Sequence, residues 1–299
     1  MSRCRPNPPP AREGLSASCV VVPTRTALAA LDFFHQRFPF IARELWQERL
    51  QSGEVVDDQG NRIQPQQILH SGQRLYYFRI VPTETPIPFQ ESIVWQDEHL
   101  LVVDKPHFLP VIPSGKYVHE TLLVRLKHKL GIEALSPIHR IDRDTAGLVL
   151  FSVNPQTRNA YQALFRERQV HKTYHAVAHW NPALAWPVQR ASRIVPGSHF
   201  MQQVEVSGAA NARTTIRPLQ VRGDLALYEL EPLTGLRHQL RVHMAALGLP
   251  LLGDGIYPVL TPECEPDFAH PLQLLAKAIA FMDPVIDQYR QFESPRTLW

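Results

Sequence analysis

From Thr26 to Gly53 the apolar positions recur at three- and four-residue intervals. The stretches TALAALDFFHQRF and FIARELWQERLQSG each read as a short amphipathic helix. In the second, Ile41, Leu45 and Trp46 recur at helical spacing and Gly53 stops the run. The period then changes. EVVDDQGNRI predicts two short strands around the turn Asp58-Gln59-Gly60, and HSGQRLYYFRI predicts another strand. Two helices, a hairpin and a strand make a small unit. Its arginines Arg43, Arg49 and Arg62 read as exposed, facing either phosphates or plain solvent. PTETPIPFQES, with three prolines and no period, predicts a linker, and the boundary falls near residue 86.

Beyond the linker, apolar runs alternate with helical patterns. HLLVVDK, KTYHAVAH and LALYELE read as strands. NPQTRNAYQALFRERQ reads as a helix with Asn154 as N-cap, Pro155 in its first turn, and Ala160, Tyr161, Leu164 and Phe165 on its buried face. In LTGLRHQLRVHMAALGLPLLGD, Leu236, Leu240, Met244 and Leu247 recur at helical intervals, Gly248 ends the run and Pro250 follows. Entry through Thr234 and Gly235 sets Arg237 and Arg241 one turn apart at the helix start, on one face. A cation there opposes the helix dipole at a cost of roughly 0.3–1 kcal/mol. Either a carboxylate from elsewhere offsets that cost, or the arginine carries its charge into water. The pattern predicts an α+β (mixed α/β) fold.

Composition narrows the class. With 299 residues the chain has room for one large domain and a small one. A net charge of +3 is too small to establish a nucleic-acid partner. Cys4, Cys19 and Cys264 are scattered, which argues for a reducing compartment and against a disulfide framework or a zinc site. His238 and His243 lie five apart, about 140° around a helix, so they do not share a ligand face. No apolar run has membrane length and the start lacks a secretory segment. Residues 1–20 read as a disordered leader, and the arginines there leave a transit peptide open.

The densest chemistry lies in SPIHRIDRDTAGLVLFS, residues 136–152. One imidazole, two guanidiniums and two carboxylates sit directly before a strand-like apolar run. Asp142 and Asp144 are compatible with a two-carboxylate hydrolase. Asp144-Thr145-Ala146-Gly147 also reads as a turn, which makes Asp144 structural. VRLKHKL is a basic helix face, open to phosphate or to solvent.

HRIDRDTAGLVLFS resembles the signature of the RluA-like RNA pseudouridine synthase family. DEHLLVVDKPHFLPV resembles that family's opening strand and D-K-P turn. VHKTYHAVA resembles its K-x-Y segment, and LTGLRHQLRVHMAALGLPLLGDGIYP its arginine-histidine block. The four motifs span about residues 93–285. The resemblance implies a pseudouridine synthase catalytic domain over 86–299, with a central mixed, mainly antiparallel sheet flanked by helices. It more weakly implies a small ribosomal-protein-type RNA-binding domain over 21–85. It implies Asp142, Tyr174 and Arg237 as catalytic residues, Arg237 being the cation that pairs with the aspartate. His139, Arg140, Thr145, Lys172, Leu240 and Arg241 are implied as substrate-binding, with Arg140 filling the space of a flipped base. An ionised carboxylate in a dry site needs such a cation, because burial alone raises its pKa. Flipping the uridine costs a few kcal/mol. The implied enzyme is a cytoplasmic monomer acting on ribosomal or transfer RNA, with no cofactor, no metal and no membrane association. The chain departs from the family pattern at Ala146, Phe108, Ile112 and Leu275, where Ser, Gly, His and His are usual.

Overall fold

The computed structural model describes residues 8–24, 27–79, 84–262 and 266–299. The start of the expected leader, Pro82 and Thr83 of the linker, Cys4 and Cys264 lie outside them. The chain divides into two compact units. One comprises Met1–Glu84, Gly115–His119 and Val124–Glu133; the other Thr85–Ser114, Glu120–Leu123 and Ala134–Trp299.

The first unit runs β1 (Ser18–Val21), α1 (Ala30–Arg37), α2 (Arg43–Gln51), β2 (Val55–Asp57) and β3 (Arg74–Tyr77). The strands form an antiparallel sheet in the order β1-β3-β2. β1 therefore begins inside the stretch read as leader. The core holds Phe34, Trp46, Leu50, Val55, Ile63 and Leu75, and the Phe34 and Trp46 rings lie 4.4 Å apart. The face of α2 is rotated from the expected one: Leu45 is exposed and Leu50 takes its place inside. Arg49 is also inside. Its guanidinium lies 4.8 Å from the Trp46 ring, with Nε donating to Glu54 and Nη2 to the Phe78 carbonyl. Arg43 pairs with Asp32 at 2.7 Å, and Arg62 is exposed.

The remaining elements are β4 (Ser92–Gln96), β5 (Leu100–Lys105), α3 (Leu122–Leu130), β6 (Ser136–Pro137), β7 (Ala146–Ser152), α4 (Arg158–Arg166), β8 (His171–His179), β9 (Val188–Pro196), β10 (Gln203–Val206), β11 (Ala212–Arg222), β12 (Leu225–Pro232), α5 (Gln239–Ala246), β13 (Leu274–Met282) and β14 (Tyr289–Glu293). Among the described residues these strands form one sheet of eleven, in the order β10-β9-β11-β12-β8-β13-β7-β5-β4, with β14 on β13 and β6 on β7. Every pairing is antiparallel except β7 with β13. β5 and β7 are buried along their whole length, as the unbroken apolar runs LLVV and GLVLF require of strands covered on both faces. α4 packs Tyr161 and Leu164 against Leu100, Val102, Leu148 and Leu150. α5 packs Leu240 and Met244 against Ala176, Ile216, Ala226 and Tyr228.

Two helix starts differ from expectation. α4 begins at Arg158, because Asn154 Oδ1 accepts the Gln156 N–H at 2.9 Å and closes a turn ahead of the helix. α5 begins at Gln239, after His238 in the left-handed region at φ 56°.

Gly147 explains why the charge-dense loop ends as it does. It sits at φ 107°, and a Cβ there would lie 2.3 Å from the Ala276 carbonyl oxygen. Only glycine lets β7 approach β13 this closely directly behind the loop.

Candidate functional site

Three stretches converge on an open cleft of about 490 Å³. The loop before β7 supplies Arg140, Ile141, Asp142 and Thr145, β8 supplies Lys172 and Tyr174, and the β12–α5 segment supplies Thr234, Leu236, His238, Leu240 and Arg241.

The loop is held from behind. Thr145 N–H donates to the Asp142 carbonyl at 3.2 Å. Lys105, fully buried, donates from Nζ to the carbonyls of Pro106 and Arg143, each at 2.9 Å. Burial lowers its pKa to about 7. His107 Nδ1 lies 2.7 Å from the Asp144 carbonyl, so that nitrogen carries the hydrogen. The D-K-P-H turn thus fixes the backbone on which Asp142 sits.

Asp142 meets Arg241. Arg241 Nη1 lies 3.4 Å from Asp142 Oδ2, and the same guanidinium makes a two-pronged pair with Asp254, at 2.9 Å from Nε and 2.6 Å from Nη2. Arg241 is 3% exposed and Asp254 0%. Burial opposes the guanidinium charge, but the Asp254 carboxylate outweighs it and Asp142 adds to that, so the pKa of Arg241 lies above its ordinary value. Asp254 Oδ1 also accepts the backbone N–H groups of Ile256 and Tyr257 at 2.8 and 3.1 Å. Asp254 therefore aims Arg241 at Asp142, and the planar fork suits that double duty.

His238 addresses the other oxygen. Its Nε2 is 3.9 Å from Asp142 Oδ1, and its Nδ1 is 3.0 Å from the Tyr257 hydroxyl. That hydroxyl already accepts the Gln203 N–H at 2.7 Å, leaving its own hydrogen for His238 Nδ1. The neutral imidazole then carries its hydrogen on Nε2, toward the carboxylate. Burial lowers the His238 pKa, which favours that neutral form.

The α5 entry is pinned by a satisfied buried amide. Gln239 donates from Nε2 to the Arg213 carbonyl and to Thr214 Oγ1, both at 3.0 Å, and its Oε1 accepts from Thr234 Oγ1 at 2.7 Å and Leu236 N at 3.1 Å. Both donors and the acceptor are used, which fixes the loop beside the cleft.

Asp142, Tyr174, Arg140, Thr145, Lys172, Leu240 and Arg241 all line the cleft. Burial, and then the Asp142 charge, push the Tyr174 phenol well above its ordinary pKa, so it stands there as a neutral O–H. Lys172 Nζ donates to the Thr234 carbonyl at 3.1 Å, and burial lowers it to about 8.

Two expectations are corrected. Arg237 does not pair with Asp142. It precedes α5, is exposed, and donates from Nη1 to the Phe200 carbonyl at 3.0 Å. The left-handed His238 turns the chain between the two arginines, so the first-turn cation is Arg241 alone. His139 does not line the cleft. Its Nε2 accepts the Leu150 N–H at 3.1 Å, its ring stacks 4.5 Å from Phe165, and burial lowers its pKa to about 3. Asp144 is occupied by Arg143, at 2.8 and 3.3 Å. Burial raises its pKa, and the Arg143 charge and hydrogen bond reverse this and hold it below the ordinary range.

His238, Gln239 and Asp254 carry the site without having been singled out for it. The signal for them lay in the matched block LTGLRHQLRVHMAALGLPLLGDGIYP, which contains all three, and in the acid Asp254 within the otherwise apolar LPLLGD. Among the described residues no three His, Cys, Asp or Glu side chains converge as a metal ion requires. No described helix is long and apolar enough to cross a membrane.

The chain is similar to known proteins. The family model described as RNA pseudouridylate synthase matches residues 99–246. An uncharacterized RNA pseudouridine synthase of Synechocystis sp. is 34% identical over 231 residues, 76% of this chain and 78% of that protein. The dual-specificity RNA pseudouridine synthase RluA of Pasteurella multocida is 32% identical over 224 residues, 68% of this chain and 92% of that one. Among solved structures, human RNA pseudouridylate synthase domain containing 4 is similar with a TM-score of 0.54 at 27% identity, covering 69% of this chain and 88% of that one.

Proposed function

This chain belongs to the RluA-like family of RNA pseudouridine synthases, and from that premise we propose that it isomerises particular uridines of ribosomal or transfer RNA with Asp142 as the reacting carboxylate. The observation that carries the residue assignment is the Asp142 carboxylate in the cleft, 3.4 Å from the buried Arg241. Guanidinium and imidazole N–H stand ready beside it and need no rearrangement as charge develops.

In the reaction the bond between uracil N1 and ribose C1′ breaks, the base turns, and a bond forms between C5 and C1′. C5 gives up a proton and N1 gains one, so the product is an isomer and no electrons or groups are exchanged. Asp142 acts as the covalent or proton-accepting partner of the opened nucleoside. Tyr174 faces the base with a neutral hydroxyl that serves proton transfer. Arg140, exposed at the rim, fills the stack that the flipped uridine leaves. Arg241, aimed by Asp254, holds the carboxylate in place, and His238, oriented by Tyr257, turns its Nε2 toward it.

Likeness supports the RNA class: a Vibrio cholerae relative is named tRNA pseudouridine synthase C, and the Pasteurella relative a dual-specificity RNA enzyme. The first unit we read as a ribosomal-protein-type RNA-binding domain, with two helices on a three-stranded sheet and Arg62 turned outward. A monomeric cytoplasmic enzyme without a cofactor fits a redox-neutral isomerisation. A hydrolase using Asp142 with Asp144 is disfavoured, because Arg143 occupies Asp144.

The test is Asp142→Asn on RNA from a strain lacking the protein. Pseudouridine mapping will find sites restored by the wild type and none by the variant, while RNA binding persists. Restoration by the variant would remove Asp142 from its role.

A further inference from the structure

Arg237, released from the catalytic pair, has another contact. The β9–β10 connection, residues 197–202, carries Phe200 at its tip with 78% of its surface exposed. An exposed phenylalanine contributes nothing to the core, and this one is held rather than loose. Arg237 Nη1 donates to its carbonyl at 3.0 Å. Gly197 N–H donates to the Gln202 carbonyl and Gln202 N–H to the His199 carbonyl, each at 2.9 Å. The His199 ring lies 4.8 Å from the Phe200 ring, at 38°.

The loop stands at the rim of the cleft. Arg237 lies between Leu236 and His238, both of which line it. The rim is also cationic. Arg213 is exposed, and its backbone N–H donates to the cleft residue Thr234 at 3.0 Å. Arg140 is exposed and lines the cleft itself. Among the described residues no carboxylate pairs with Arg140, Arg213 or Arg237, whereas Arg190 and Arg217 on neighbouring strands pair with Glu205 and Glu229.

A flat apolar ring in a field of unpaired guanidiniums fits a nucleobase with its phosphates. It does not fit an apolar peptide, which would leave those charges against nothing. We propose that Phe200, flanked by His199 and braced by Arg237, is a stacking shelf for a base next to the target uridine, with Arg237 and Arg213 taking the adjoining phosphates. This rests on the RNA-modifying reading of the cleft. The target uridine occupies the cleft beside Asp142, so the shelf holds a neighbour and contributes to the choice of RNA.

The experiment uses the full chain and bulk RNA from a strain lacking it. Initial rates of pseudouridine formation are measured against RNA concentration. Phe200→Ala will raise the half-saturating concentration about tenfold, since base–aromatic stacking is worth that order, and leave the saturated rate within about twofold. Phe200→Trp will match the wild type. Phe200→Leu, apolar but without a ring face, will behave as Phe200→Ala. Wild-type behaviour of either the alanine or the leucine variant overturns the shelf. If the wild type itself forms no pseudouridine, the enzymatic reading fails separately. The shelf is then decided by filter binding of the same RNA, where equal affinity of the wild type and Phe200→Ala overturns it.

Discussion

Replacing Arg241 by methionine separates the two jobs of its guanidinium. One is to face Asp142 at 3.4 Å; the other is to neutralise Asp254, which is 0% exposed. Methionine keeps the stem and removes both. Breaking a buried pair from one side costs about 3–5 kcal/mol, because the remaining charge has no partner. The N–H groups of Ile256 and Tyr257 still reach Asp254 Oδ1, which places the loss toward the lower end. Removing a preorganised charge from the reacting group costs a factor of about 10²–10³ in rate. The double variant Arg241→Met/Asp254→Asn deletes the stranded charge, and asparagine still accepts both N–H groups. It will therefore recover about 2 kcal/mol of the lost stability. It will recover none of the rate, since Asp142 still lacks its cation. Urea unfolding gives the stabilities, and single-turnover pseudouridine formation at saturating enzyme gives the rates. Two results would refute the reasoning: single-variant turnover within about threefold of wild type, far short of the expected loss, or rate and stability returning together in the double variant. The latter would mean that Arg241 acts only by holding the fold.

Two further perturbations test how the loop is held. His139 must stay neutral to accept the Leu150 N–H, and its pKa of about 3 lies below the unfolded value of about 6.5. In that window the unfolded chain binds the extra proton, so stability rises with pH at up to about 1.4 kcal/mol per unit from this group and falls on acidification. Urea midpoints at several pH values between 4 and 6.5 will show a flatter slope for His139→Gln than for wild type, and equal slopes would mean that burial does not hold His139 neutral. Gly147→Ala places a Cβ 2.3 Å from the Ala276 carbonyl at a φ of 107°, and will cost about 3 kcal/mol of stability and most of the activity. Wild-type stability and turnover in that variant would break the link between the β7–β13 approach and the placement of Asp142.

Local pattern carried far in this sequence where one face of an element was decisive. The apolar runs of β5 and β7 predict strands and are buried throughout. Phe108 shows what a departure from the family pattern means physically. It occupies φ 66°, a conformation glycine enters without steric cost, and it is held there by Phe268 at 5.1 Å and Phe89 at 6.1 Å. Contacts between distant stretches were not legible. Nothing in HRIDRD says that His139 turns toward Phe165 while Asp142 turns into the cleft. The side of the loop that packs is chosen by β7 and α4, not by the motif.

The resemblance implied Arg237 as the partner of Asp142 where the fold uses Arg241, and the helical period that both arginines share does not separate them. A helical pattern through Leu236, Leu240 and Met244 is real, but it does not fix the first helical residue, and the identity of the cation depends on that residue. His238, a non-glycine at φ 56°, breaks the helix one residue before Gln239. The geometry is kept because Gln239 uses all its hydrogen bonds on the entry loop and β11, and the Tyr257 hydroxyl engages His238 Nδ1. That single left-handed residue sends Arg237 outward to Phe200 and leaves Arg241 inward between Asp142 and Asp254. A site that needs one buried guanidinium behind its carboxylate and another at an exposed rim obtains both from neighbouring turns, and the backbone conformation of the residue between them decides which does which.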